Sequence, residues 1–246
     1  MNKQVAIVTG GGAGLGLAIS KKLIQEGLQV IMIGRNEDKL KAAAAEFGQL
    51  CSYRVFDLQN LTGIPALIEE IHTSFGKIDI LVNNAGINMK KPFIEVTDED
   101  FSNVIQVNLS AVFSISREVV KKMIDAQSGA IVNISSMAAQ YGIPKVIAYS
   151  AAKTGIEGMT RAMATELSPL GIRINCVAHG FIKTAMSAKA LDADPERKNK
   201  VFSRTPMAKM GEPEDVADAV HFLSSASAKY ITGIVMPVDG GNSIGF

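Results

Sequence analysis

The chain has no tryptophan, two cysteines and three histidines, and its aromatic residues amount to 6%. Cys51 and Cys176 stand far apart and form no C-x-x-C pair. That argues against a disulfide framework and against a metal site, and it suits a reducing cytoplasm. No apolar run approaches the roughly 18 residues of a membrane span. An excess of one charge is missing too. Lysine and arginine total 25 against 24 acidic residues, a formal net charge of +1, without the basic surplus of a nucleic-acid binder. The start, M-N-K-Q-V-A-I-V-T-G, passes straight into a short apolar run and then glycines. It lacks the longer apolar region and cleavage site of a signal peptide. The expectation is a cytoplasmic protein whose partner is a small molecule, not nucleic acid or a membrane.

What is present is an ordinary globular profile: 47% apolar and 20% charged over 246 residues, enough for a sizeable core. Apolar, β-branched runs at about 5–8, 30–33, 52–56, 78–82, 130–134, 172–178 and 234–238 read as strands, and helical patterns alternate with them. There is no linker, repeat or low-complexity tract. The economical reading is α/β, a single doubly wound (Rossmann-type) domain over 1–246, with a parallel sheet of about seven strands and helices on both faces. The segment 181–207 is richer in polar residues, includes Pro195 and Pro206, and reads as a movable insertion covering a site.

The first strand runs into Thr9-Gly10-Gly11-Gly12-Ala13-Gly14-Leu15-Gly16, and Leu15, Ala18, Ile19 and Leu23 follow at helical spacing. In a strand–loop–helix context, glycines let the backbone approach a pyrophosphate whose charge sits at the helix N-terminus. Leu17 breaks G-x-G-x-x-G, and the fit is to T-G-x-x-x-G-x-G. The second strand ends Gly34-Arg35-Asn36, with no carboxylate before Glu37. An acidic residue there binds a ribose 2′-hydroxyl, whereas arginine suits a 2′-phosphate. Arg35 therefore favours NADP(H) over NAD(H), unless it is a solvated loop charge. Asn36 is placed to cap the next helix.

The third strand leads to Asp57-Leu58 and the fourth to Asn83-Asn84-Ala85-Gly86, small residues and amides that can line a crevice or build a turn. Thr97 caps a helix whose apolar stripe runs Phe101, Val104, Ile105, Val112, Ile115, Val119, Met123. Asn108 falls on that stripe, either as a satisfied core amide or as an active-site group. The fifth strand ends at Ser135 and Ser136. A helix then carries Tyr149 and Lys153 at i and i+4, on one face. The ammonium favours the phenolate and lowers the phenol's pKa, so the phenol can exchange a proton with an alcohol or alkoxide. Y-x-x-x-K alone arises by chance in roughly one such chain in three or four, so the weight lies in its combination with a cofactor site.

Together, T-G-G-G-A-G-L-G at 9–16, N-N-A-G at 83–86, Asn108, Ser136 and Y-S-A-A-K at 149–153 resemble the short-chain dehydrogenase/reductase family over essentially the whole chain. The thirteen-residue step from Ser136 to Tyr149 matches the family's catalytic serine and excludes Ser135. The resemblance implies Tyr149 as general acid/base, Lys153 lowering its pKa and holding the nicotinamide ribose, Ser136 polarising the carbonyl, and Asn108 anchoring a water. It implies that Gly10, Gly12, Gly14, Leu15 and Gly16 cradle the phosphates. Asp57 and Leu58 would face the adenine, and Asn83, Ala85 and Gly86 would line the crevice. In H-G-F-I-K-T, Gly180, Ile182 and Thr184 would meet the nicotinamide side. The chemistry implied is hydride transfer without metal by a homotetramer.

One departure is His179-Gly180 where similar proteins have Pro-Gly, so the loop loses a fixed φ. The histidine is either a tolerated substitution or a substrate contact. Lys90-Lys91-Pro92-Phe93 is similar to the gluconate 5-dehydrogenase branch, and two ammonium groups would attract an anion. The C-terminal V-D-G-G is also similar to 3-oxoacyl-carrier-protein reductases. A sugar acid or related small keto or hydroxy acid is the expected substrate, with 3-oxoacyl thioester reduction as the alternative. A non-catalytic nucleotide sensor would be expected to lack one of Ser136, Tyr149 and Lys153; all three are present.

Overall fold

The computed structural model describes residues 3–184 and 195–245. Seven strands form one wholly parallel sheet: β1 Val5–Thr9, β2 Gln29–Gly34, β3 Cys51–Val55, β4 Ile80–Asn83, β5 Gly129–Ser136, β6 Ile172–His179 and β7 Val235–Val238. Their order is β3-β2-β1-β4-β5-β6-β7. Strand order reverses between β1 and β4, and a parallel sheet opens a crevice at the carboxyl ends flanking such a reversal. Thr9 pairs with Ile33 there, Asn83 with Asn133, and Ser136 with His179.

The central strands are buried on both faces, which is why they read as continuous apolar runs. Alternation along β1 divides the core in two. Ala6 and Val8 pack with Ile19 and Leu23 of α1 (Gly14–Gln25), with Leu40 of α2 (Glu37–Phe47) and with Val216, Val220 and Leu223. Val5 and Ile7 pack with Ile68 and Ile71 of α3 (Ile64–Phe75) on the opposite face, alongside Ile115, Val119 and Met123. Among the described residues, no helix is long and apolar enough to cross a membrane.

The helix expected after Thr97 divides into α4 (Asp98–Ile105), a π turn (Gln106–Ser110) and α5 (Ala111–Ala126). The π turn accommodates an extra residue and shifts the phase of the apolar stripe. Phe101, expected on the buried stripe, is consequently 39% exposed, while Val104 is buried. The chain continues as α6 (Ile147–Leu167), α7 (Pro195–Arg204) and α8 (Pro213–Ser224). Thr97 closes a capping box on α4, Asn36 caps α2, and Pro213 sits in the first turn of α8. Of the segment expected to cover the site, 185–194 lies outside the described residues.

Candidate active site

The first turn of α1 differs from those of α2, α4 and α8. Ala13 provides no side-chain cap, and no acidic residue occupies the turn. Its amide hydrogens and positive dipole end are left to an anion. The turn before it is built for close approach: Gly10 has φ +67°, and a Cβ on Gly16 would lie 2.1 Å from the Gly10 carbonyl oxygen. Gly12 would meet Leu40 at 3.0 Å, and Gly14 has φ +54° with open space around it. Leu15 packs on the core beneath. These features fit a dinucleotide phosphate. Beyond them, Arg35 and Asp57 end β2 and follow β3, 3.9 Å apart and both exposed. The Leu58 side chain belongs to the core below them.

The floor of the crevice is tied to this turn by groups whose role the sequence does not single out. Thr9 Oγ1 accepts from the amides of Asn84 and Ala85, each at 3.0 Å, and Asn84 Nδ2 donates to the Thr9 carbonyl at 3.0 Å. The Asn83 side chain turns inward and donates to Ser116 at 2.9 Å and Asn133 at 2.8 Å. Asn83 thus stitches β4 to α5 and β5, and its amide is not aimed at the crevice. Asn108, wholly buried in the π turn, holds Ile87 at both ends: Oδ1 accepts from Ile87 N and Nδ2 donates to Ile87 O, each at 2.8 Å. A Cβ on Gly86 would come within 3.2 Å of that amide oxygen.

Strand alternation separates the two serines. Ser135 Oγ donates to Glu157 at 2.9 Å in the interior, whereas Ser136 Oγ accepts from Ala138 N at 3.2 Å. Burial raises the Tyr149 phenol above its ordinary value, and its hydrogen bond with Ser136 opposes the rise. Lys153 is 4% exposed and stands over the Tyr149 ring, 5.6 Å from its centre. Its Nζ donates to the Ile134 carbonyl at 2.6 Å. Burial brings the amine down to about 8. The phenol's pKa is thus raised by burial, with Ser136 as the opposing influence, while the Lys153 ammonium engages a backbone carbonyl instead of lowering the phenol as the i, i+4 spacing predicts. Serine, tyrosine and lysine do converge at the carboxyl end of β5, beside the glycine turn.

The family model described as enoyl-(acyl carrier protein) reductase matches residues 10–243. The 3-oxoacyl-[acyl-carrier-protein] reductase FabG of Chlamydia muridarum is 38% identical over 242 residues, 97% of this chain and 96% of that protein. The chain belongs to the short-chain dehydrogenase/reductase family. Solved relatives agree. A structure from Agrobacterium tumefaciens, provisionally named a gluconate dehydrogenase, superposes with a TM-score of 0.95 at 34% identity, covering 99% of this chain and 97% of that one. Another, from Beutenbergia cavernae and provisionally named an NAD(P)-dependent gluconate 5-dehydrogenase, carries NADP at low occupancy. It gives 0.91 at 39% identity over 97% and 96% of the two chains. As a short-chain dehydrogenase/reductase, the protein is an NAD(P)-dependent oxidoreductase that moves a hydride between nicotinamide and a carbonyl or secondary alcohol.

In this short-chain dehydrogenase/reductase the residues expected on the nicotinamide side lie at the end of β6 and in the loop after it. Gly180 N donates to Val238 O at 3.0 Å, and a Cβ there would strike Asp239 at 2.7 Å. Ile182 is buried and bridges to Gly211, and Thr184 is half-buried at the end of the described stretch. Of the expected lysine pair, Lys91 is bound to Asp100 at 2.6 Å, and Lys90 is exposed. A clasp closes the far side. Asn242, 1% exposed, accepts from the Tyr141 hydroxyl and donates to Thr205 Oγ1 at 2.8 Å. Arg204 donates to the Asn242 carbonyl at 3.1 Å and stacks 4.2 Å from the Tyr141 ring centre. The C-terminal turn thereby joins α7 to the loop between Ser136 and Tyr149.

Proposed function

We propose that this enzyme reduces a small ketone or oxidises the corresponding alcohol, prefers NADP(H) to NAD(H), and acts on a sugar acid or related keto or hydroxy acid. The observation that carries the proposal is the convergence of Ser136, Tyr149 and Lys153 beside the glycine turn. Bound nicotinamide supplies or accepts the hydride. Tyr149 gives its proton to the oxygen as negative charge develops there, and Ser136 donates a hydrogen bond to the same atom. Lys153 stabilises the phenolate left behind and holds the ribose. Asn108 keeps the 86–87 backbone beside this group and anchors the relay water. Gly10, Gly12, Gly14 and Gly16 hold the phosphates, while Thr184 and α7 stand on the substrate side.

The preference for NADP(H) rests on Arg35, whose exposed pairing with Asp57 at 3.9 Å is weak enough for a 2′-phosphate to replace. The bound NADP of the Beutenbergia relative supports it. The exposed Lys90 and the names of the two gluconate relatives favour a sugar acid. The chlamydial relative favours a second reading, reduction of a 3-oxoacyl thioester. A homotetramer accords with the half-exposed Phe113 on α5, and the free thiols Cys51 and Cys176 suit the cytoplasm.

The test pairs binding with turnover. Tyr149→Phe should keep the rise in melting temperature given by NADPH and lose about 100-fold or more in kcat. Full activity in that variant would remove Tyr149 from the acid/base role. A panel of sugar acids, short 3-oxoacyl esters and simple diketones separates the two substrate readings.

A further inference from the structure

His179 closes β6, paired in register with Ser136 of β5 on one side and Val238 of β7 on the other. Residues so paired present their side chains on one face of the sheet, with the strands about 4.8 Å apart. His179 and Ser136 are therefore neighbours across the β5–β6 ladder with their side chains on the same face. Its orientation is fixed at one end, because Nδ1 lies 2.8 Å from the Gly180 carbonyl oxygen. A carbonyl accepts, so Nδ1 carries the hydrogen and Nε2 is left with a lone pair. Among the described residues, the polar side-chain atoms sealed from solvent without a partner are Asn83 Oδ1 and Ser150 Oγ. Nε2 is not one of them, and no described group bonds it, while the residue as a whole is half-buried at the carboxyl end of the sheet.

The ring is held neutral. Burial brings its pKa down to about 4, and the positive charge of Lys153 adds to that effect, against the opposing pull of the Gly180 carbonyl. Beside Ser136 and Tyr149, which donate to the reacting oxygen, stands a neutral acceptor. Such an acceptor has nothing to offer a carboxylate or a thioester oxygen, but it matches a hydroxyl.

We infer that His179 is a specificity-determining residue whose Nε2 accepts from a hydroxyl on the carbon next to the reacting carbonyl, so that the preferred substrate is an α-hydroxyketone. The inference rests on the proposed function and narrows it, since a 3-oxoacyl chain carries no such hydroxyl.

The test compares 3-hydroxy-2-butanone with 2-butanone, which differ by that one group, and uses NADPH as reductant. The unaltered enzyme should show a kcat/KM about tenfold or more higher for the hydroxyketone. His179→Phe should bring the ratio of the two values down about tenfold, and His179→Gln, which keeps an acceptor, should recover part of it. The Kd for NADPH, read by fluorescence, should stay within about twofold in both variants, which also reports folding. No preference in the unaltered enzyme overturns the inference, whatever the variants do. An unchanged ratio in His179→Phe does the same. So does a weakened NADPH Kd with both ketones falling in step, which would assign the contact to the cofactor. Failure to reduce either ketone while sugar acids of the panel are turned over overturns this inference alone; failure on the whole panel removes the proposed function and this inference with it. Reduction of both without a change in ratio removes the role of His179 alone.

Discussion

Replacing Thr9 by valine tests whether one hydroxyl holds the cofactor floor together. The side chain is 2% exposed and valine matches its shape, so packing is nearly conserved and the hydrogen bonds are what change. The Ala85 amide loses its acceptor at 3.0 Å. The Asn84 amide loses an equal bond but keeps the Val82 carbonyl at 3.2 Å. The hydroxyl's own bond to Val82 is long, at 3.3 Å, and its removal costs little. The part-buried Ala85 amide left unpaired costs about 1–3 kcal/mol, and the shared bond adds about 0.5–1. The sum is about 2–4 kcal/mol. For a chain of this size that corresponds to a fall of roughly 6–12 °C in melting temperature for about 3 kcal/mol. Thermal and urea unfolding of Thr9→Val and Thr9→Ser would measure it, with NADPH titration alongside. Serine keeps the hydroxyl and should lose about 1 kcal/mol or less, whereas valine should also weaken NADPH binding by loosening Asn84 from the Gly10 turn. A valine variant within about 0.5 kcal/mol of the parent would refute the reasoning.

Three further outcomes follow from the geometry. Gly16→Ala places a Cβ 2.1 Å from a backbone oxygen, so NADPH should no longer raise the melting temperature; a normal thermal shift would contradict the cradle. Burial pushes the Lys153 amine down to about 8 from its ordinary value of 10.5. The native state releases that proton first, so stability gains with pH between those values. Relative to Lys153→Met, the parent should gain up to about 3 kcal/mol from pH 8 to 10.5, and parallel pH profiles would argue against a buried amine. Arg35→Asp should move the kcat/KM ratio towards NADH by about tenfold or more, with a stability change of about 0.5 kcal/mol or less, because the pair it breaks is exposed. Retained NADPH selectivity would place the 2′-phosphate elsewhere.

The strands were legible because parallel strands buried on both faces must be apolar throughout, whereas their order is set by tertiary packing that number and alternation leave open. Tyr149 and Lys153 share a helix face by spacing alone. The bond from Lys153 to the Ile134 carbonyl is a tertiary contact, with no trace in the local pattern. The π turn is equally hidden, since one extra residue hardly disturbs an apolar stripe until neighbouring helices fix its phase. Asn83 and Asn84 look interchangeable as letters, yet strand alternation sends the first into a polar stitch with Asn133 and leaves the second bridging to Thr9. Thr9 itself ends an apolar strand, where a β-branched hydroxyl residue draws no notice until its acceptor role is seen.

The clasp at Asn242 makes the turn that follows β7 an internal component of the enzyme. Removing the Asn242 side chain would release Tyr141 and Thr205 together, and loss of its carbonyl would free Arg204. The effect would reach the segment between Ser136 and Tyr149 from the opposite end of the polypeptide. Gly245 is also pressed against the Arg204 carbonyl, with no room for a Cβ. A substitution at Asn242 should therefore be judged by its effect on the candidate active site as well as on stability.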